Sequence, residues 1–447
     1  MDDDDDIDVG DDDDAGIQPG PVEFGGMCEG DLDCQSLICR DSRCTQSCSE
    51  EEPCPEGTYS SCEDAVCRFS VAPPLQDIPR VGFIYVGPVG DHGWTLTHEL
   101  SRVYLEETLS DPDTPGDEIV TTYLPSVASV DAPARIEELI DDGYNTIVGT
   151  SFDFLTAIQN SAANHPDVNF LACSGFMTSP NLGSYFGRMY QVKWLAGMVA
   201  GKMTTTDRIG VLGPIVIPET VRHVNAFTQG VRHTNPDAVV HVEWLGAWFD
   251  PVNEPILTQT LIDGGADVIM TMTDTAIPIQ TIEAGWDPEN PVYSIGYDNS
   301  DSCDFGPQSC LTSAYWNWGP TLVEIVEAMR DGTWDPHGVV WDQIKSDEEE
   351  SIAYLAPMEP AVPVATQVEV MGYISDLAAA GPEGQQLPFE GPLYDNLGTL
   401  RLAAGDFFVD EDLLSMCWLV EGVVGAESDE KGVPLPAVLP PGCVGDQ

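Results

Sequence analysis

The sequence predicts an α/β protein with two doubly wound parallel-sheet lobes in tandem, preceded by a small disulfide-rich module. Three observations carry that expectation. At 447 residues the chain is about three times a typical domain, so more than one packed unit is required. From Val81 onward, short apolar runs alternate with segments of helical periodicity. Eight of the 13 cysteines crowd between Cys28 and Cys67.

Residues 1–27 open with MDDDDDIDVGDDDDAG, which reads as a solvated, disordered acidic tail. In the module that follows (residues 28–70), Cys28, Cys34, Cys39, Cys44, Cys48, Cys54, Cys62 and Cys67 form an even set in a segment too small and polar to fold on apolar burial. Disulfides are the expected staple, because the stretch has no CxxC pair and no histidine to favour zinc. Connectivity stays open. VAPPLQDIP then reads as a linker over residues 71–80. Farther on, Cys303 and Cys310 fit a local bridge across a turn, Cys417 with Cys443 is a weaker pairing, and Cys173 in FLAC fits a buried thiol.

In the body, VGFIYVG and IVTTYLP read as strands, ARIEELIDDG as a helix with Ile136, Leu139 and Ile140 on one face, TIVGT as a strand, FLTAIQNSAANHP as a helix and VNFLACSG as a strand. A second series follows: YQVKWLAGMVAGKM helix, RIGVLGPI strand, ETVRHVNAFTQGVRHTNP helix, VVHVEWLGAWF strand, ILTQTLIDGG helix, then DVIMTMTD and VYSIGYDN as strands. Strands alternating with helices imply parallel sheets covered on both faces.

Composition excludes several functions. The chain carries 76 acidic and 16 basic residues, a formal charge of −60, so it repels phosphate backbones and anionic headgroups. Neither nucleic acid nor a lipid surface is an expected partner. Residues 1–70 hold 21 acidic and three basic side chains, so the excess extends over the body as well. A carboxylate-coated surface suits high external salt. No run of 18 apolar residues occurs, so no spanning helix is expected. The cysteine pattern argues for an oxidising, extracytoplasmic location, with a leader removed ahead of residue 1.

Ligands of open parallel sheets sit beyond the carboxyl ends of the strands. Those positions share a chemistry here: Asp91 and Trp94 after the first strand, Phe152 and Asp153 after TIVGT, Trp248 after HVEWLGA, Asp274 after VIMTMT, Asp298 after YSIGY, and Trp316 with Asn317 after CLTSAY. Aromatic faces stack on a flat ring and carboxylates accept from its N–H edge, so a heteroaromatic ligand is expected. The plain alternative for Trp94, Trp248 and Trp316 is core or hinge packing, and any one carboxylate could be a cap or turn former.

The motifs VGFIYVGPVGDHGWTLTHELSR, YFGRMYQVKWLAGMVAGKM, AFTQGVRHTNP, WFDP, SIGYDN, WNWGP, GPLYD and DLLSMCWLVEGVVG resemble the basic membrane protein (BMP) family, ligand-binding proteins of ABC import systems related to purine nucleoside receptors. The likeness runs from roughly residue 80 to residue 425 with motif order kept. It implies a type I periplasmic binding protein fold, closing by a hinge on a ligand recognised by a membrane permease. The implied lobes are residues 80–186 with about 318–345, and 187–317 with about 346–425, leaving 426–447 as an extension.

Carried over from the family, Trp94 and Trp248 stand at the two stacking positions, one per lobe, and Thr95 stands where asparagine is often found. Asp153 lies near the carboxylate that reads the purine edge, and Asp298 matches the one that holds ribose hydroxyls. Trp316 replaces the lysine that nucleoside-specific members usually carry after TSAY. The expected ligand is therefore a purine base such as adenine, with a nucleoside as the alternative.

Enzymatic signatures are missing: the sequence has no GxSxG, Walker A or HExxH, and GPVGDHG lacks the third glycine of a dinucleotide fingerprint. No catalytic residue, cofactor or metal is expected, and His92 and His98 read as capping or surface residues. The expected state is a monomer at the periplasm or cell surface, secreted or lipid-anchored, working with an ABC permease. A surface sensory or interaction protein using the cysteine module is the competing class.

Overall fold

The computed structural model describes residues 79–110, 119–175, 177–379, 387–428, 434–437 and Cys443, plus the backbone of short strands at 39–40, 43–44, 60–63 and 66–69. Those short strands make two antiparallel hairpins in which Cys39 is the register partner of Cys44, and Cys62 of Cys67. The expected acidic tail, and the bonding of the eight clustered cysteines, lie outside the described residues.

Two sheets organise the body, as the alternating pattern predicts. The first contains β1 (Arg80–Ile84), β2 (Val120–Leu124), β3 (Thr146–Gly149), β4 (Asn169–Cys173) and β5 (Leu182–Gly187). Together with a later strand, β11 (Val340–Asp342), they run parallel in the order β11-β5-β4-β3-β1-β2. Strands β3, β4 and β5 are buried along their whole length, and β3 and β4 accordingly read as apolar runs, whereas β2 at the edge is partly exposed.

The second sheet contains β6 (Arg208–Gly213), β7 (Val239–Trp244), β8 (Val268–Thr271), β9 (Tyr293–Asp298), β10 (Cys310–Trp316), β12 (Ala353–Leu355), β13 (Val423–Ser428) and β14 (Pro434–Pro436). Their order is β12-β10-β9-β8-β6-β7-β13-β14, parallel except for β12 and β14 at the two edges. In both sheets the order reverses next to the first strand, which creates the crevice where a ligand can lie.

The chain passes between the sheets three times. After β5 it enters α4 (Met189–Met203), which packs on α5 (Pro218–Thr234) beside the second sheet. After β10 it returns as α8 (Trp318–Asp331) against α1 (Trp94–Leu109) of the first lobe. After β11 it crosses again to β12. Helices α4 and α5 touch backbone to backbone: a Cβ at Gly230 would overlap the Trp194 carbonyl, and one at Gly197 the Phe227 carbonyl.

Two disulfides are described, Cys303–Cys310 and Cys417–Cys443, and Cys173 is a buried free thiol. The second bridge ties the segment that follows β13 back to the second lobe. None of the described helices is long and apolar enough to cross a membrane.

Candidate functional site

The first strand delivers the loop Gly87–Gly93 to the crevice, and Asp91 organises it. Its carboxylate accepts from the backbone N–H of Gly93 (3.0 Å), Thr95 (2.8 Å) and Leu96 (3.1 Å), satisfying the free donors at the start of α1. Burial nevertheless pushes its pKa up. His92 adopts a left-handed backbone (φ 63°), and its ring lies 4.7 Å from that of Phe305 in the other lobe. Gly93 comes so close to the second lobe that a Cβ there would overlap the Asp274 carbonyl. The lobes are closed on one another.

Between them lies a narrow cavity of about 10 Å³. The first lobe lines it with Val86, Trp94, Ser151, Phe152 and Ser174, and the second with Glu219, Trp248, Asp274 and Tyr297. Trp94 is held by its indole N–H, which donates to the Thr150 carbonyl at 2.7 Å, and Trp318 packs edge-on against it at 5.5 Å. Trp248 is half-buried and its indole Nε1 has no hydrogen-bond partner.

Of the ten candidate ligand residues, Trp94, Phe152, Trp248 and Asp274 line this cavity. Asp91 and Thr95 stand at the base of α1, framing it rather than facing it. Asp298 is fully buried behind Tyr297 in a left-handed conformation (φ 67°), with the Lys193 ammonium and the Trp316 indole as the neighbours that favour its charged form. Trp316 is also behind the cavity: its ring stacks on Trp318 at 4.2 Å and its indole N–H donates to the Tyr297 hydroxyl at 3.1 Å. Asn317 lies in a separate groove on the far side of Trp316 with Leu100 and Tyr104, its N–H bonded to the Ile352 carbonyl. Asp153 is exposed, its N–H held by the Ser151 hydroxyl, and it does not line the cavity. His98, expected at the surface or as a cap, is instead fully buried. It stacks on Trp318 with its Nδ1 3.0 Å from the Trp94 carbonyl, and burial pushes its pKa down to about 3.

Glu219, Ser174, Tyr297 and Lys193 were not singled out from the sequence. Glu219 follows Pro218 at the start of α5, six residues past the end of β6, beyond the positions that a scan of strand ends inspects. Lys193 had a signal: a lysine inside the apolar run YQVKWLAGMV needs a buried anion. It is fully buried, with Nζ 3.3 Å from the Tyr297 ring centroid, and Asp298 is the anion that most favours its charge.

The electrostatics are lopsided. Asp91, Asp274, Asp298 and Glu219 converge on a region where Lys193 and Arg222 are the buried cations. Burial, with Asp298 next, holds the Asp274 carboxyl well above the usual range. Burial also raises Glu219 to about 7, against the pull of Arg222. The carboxyl oxygens of Asp274 and Glu219 line the cavity beside the unpartnered indole N–H of Trp248, so it suits a ligand that carries N–H groups and a ring acceptor.

Two parallel-sheet lobes, three crossings and an enclosed cavity between strand ends define a bilobal solute receptor. Comparison with known proteins gives the particular family. The family model described as "ABC transporter substrate-binding protein PnrA-like" matches residues 78–348, more than half of the chain, and the protein belongs to that family. Such receptors are extracytoplasmic and deliver their ligand to an ABC permease; the family is not an enzyme class. A purine-binding protein of Brucella abortus is 33% identical over 345 residues, covering 77% of this chain and 92% of that one. A Haloferax volcanii protein whose name gives it as glucose-binding in ABC transport is 31% identical over 294 residues, covering 64% and 71%. An ABC solute-binding protein structure from Conexibacter woesei has the same fold, with a TM-score of 0.53 at 22% identity over 67% of this chain and 96% of that one.

Proposed function

We propose that this receptor captures a purine base of the adenine type between its lobes and presents the closed form to an ABC permease. The observation that carries the reading is the pairing of Trp94 and Trp248, from opposite lobes, on one cavity with the carboxylates of Asp274 and Glu219. Indole faces stack on a planar ring irrespective of its substituents, while the carboxylates accept from its N–H edge. The likeness to a purine-binding relative supports it. So does Trp316, which fills the place of the sugar-holding lysine of nucleoside-specific members and is committed to Trp318 and Tyr297.

Thermal shift and calorimetry across adenine, guanine, hypoxanthine, adenosine, guanosine, riboflavin and glucose test the reading. Adenine at a hundredfold excess over its dissociation constant stabilises the protein by about 2.7 kcal/mol. Tighter binding of adenosine replaces the base with the nucleoside, and a response to glucose alone overturns both.

A further inference from the structure

The cavity between the tryptophans is not a dead end. Phe152, Ser174 and Glu219 also line a second, adjoining space of about 60 Å³. Beyond that shared rim the walls are apolar: Phe186 from β5, Ile217 and Pro218 ahead of α5, Trp341 from β11, and Leu414 from the short C-terminal helix α10 (Asp410–Leu414).

The annex is preformed. The Trp341 ring carries the Arg188 guanidinium 4.0 Å and the Arg222 guanidinium 5.3 Å from its centroid. Arg222 Nη1 donates to the Leu413 carbonyl at 2.7 Å, and Arg188 Nη2 pairs with Asp410 at 2.8 Å, which together fix α10 and hence Leu414. The charged groups on the walls, Glu219 and Arg222, each compensate the other. What remains offers hydrocarbon contact and few partners for hydroxyl groups.

We propose that the natural ligand is a purine-type ring bearing an apolar alkyl or aryl substituent on its exocyclic amine, with that substituent lodged in the annex. This rests on the reading of the cleft as a ring site. A secondary amine keeps one N–H for Glu219 while its substituent passes the Phe152–Ser174 rim, so ring and side group are read together. Leu414 lies outside residues 78–348, so the C-terminal segment contributes to selectivity.

Calorimetry on the full ligand-free chain with adenine, N6-benzyladenine and adenosine tests the proposal. N6-benzyladenine is expected to bind about 10- to 100-fold more tightly than adenine, the advantage of burying one aromatic hydrocarbon group. Val339→Trp at the half-exposed mouth of the annex, and separately Leu414→Trp on its wall, remove that advantage and leave adenine affinity unchanged, which also shows that the variants are folded. Adenine binding with N6-benzyladenine equal or weaker overturns the annex alone. So does an advantage that survives both substitutions, or adenosine binding more tightly than N6-benzyladenine. Failure of all three compounds overturns the ring site and the annex with it.

Discussion

Glu219→Gln is the sharpest probe of the cleft, because its effect has a sign and a pH window. The carboxyl titrates near 4.5 in the unfolded chain and near 7 in the folded one, chiefly through burial. Between those values the unfolded state has released the proton and the folded state has not, so each rise in pH favours unfolding. The penalty is absent below pH 4.5 and complete above pH 7. Linkage gives about 3 kcal/mol at pH 8 and about 1 kcal/mol at pH 5.5. Glutamine carries no such penalty, whatever fixed cost its own contacts add. The variant should therefore gain about 2 kcal/mol on the wild type between pH 5.5 and pH 8. Urea denaturation of both ligand-free proteins at the two pH values, followed by tryptophan fluorescence, measures the difference. A stability difference that does not change with pH would show that Glu219 is solvated, and the account of an acceptor-rich, dry cleft would fail.

Trp248→Ala should weaken adenine binding by about 1–3 kcal/mol in calorimetry while leaving the unfolding midpoint nearly in place, since the indole is only half-buried. Trp94→Ala should show the same loss of affinity together with about 3–5 kcal/mol of lost stability, because that ring is packed among Trp316, Trp318 and His98. Full affinity in both variants would make the tryptophans packing residues. Gly230→Ala pushes a methyl group into the Trp194 carbonyl, and a backbone cannot yield as a side-chain end can; chemical denaturation should show a loss of roughly 3 kcal/mol. Cys303→Ser opens a short covalent loop of sequence separation seven, and calorimetric unfolding should reveal a loss of about 2–3 kcal/mol.

The sheets were legible because buried parallel strands have no polar face: RIGVLG and VIMT announce themselves by continuous apolarity. Strand β5, LGSYFG, was not, since two glycines and a serine dilute the pattern; its glycines are demanded by neighbours, Gly183 by Trp334 and Gly187 by Ile352 and Trp316. Helix α8 begins at Trp318, two residues past the candidate Trp316, and the stacking of these two rings commits Trp316 to the hinge rather than to the cavity. Within the site, Ser174 and Tyr297 stand at strand ends among the apolar and carboxylate-bearing positions and were passed over, whereas Glu219, at a helix start six residues past the end of β6, lay beyond the positions inspected. Asp153 was misplaced because a 3₁₀ turn at Phe152–Phe154 sends Phe152 to the cavity and its neighbour to solvent.

The surplus of carboxylates bears on how such a receptor signals occupancy. Asp91 belongs to the first lobe, whereas Asp274, Asp298 and Glu219 belong to the second, and Asp91 is among the charges that raise both Asp274 and Asp298. Closing the lobes therefore brings like charges together and strips water from them, which opposes closure in the empty protein. On the proposed reading, a ring that meets Trp94 of the first lobe and Trp248 of the second makes both contacts only when both lobes surround it. Its differential affinity for the closed form is then large, and population shift requires nothing more. Lys193 and Arg222 keep the repulsion from being prohibitive, since each lies beside an anion in the second lobe. Asp274, which lines the cavity, is thus also one of the groups that resist closure when no ligand is present.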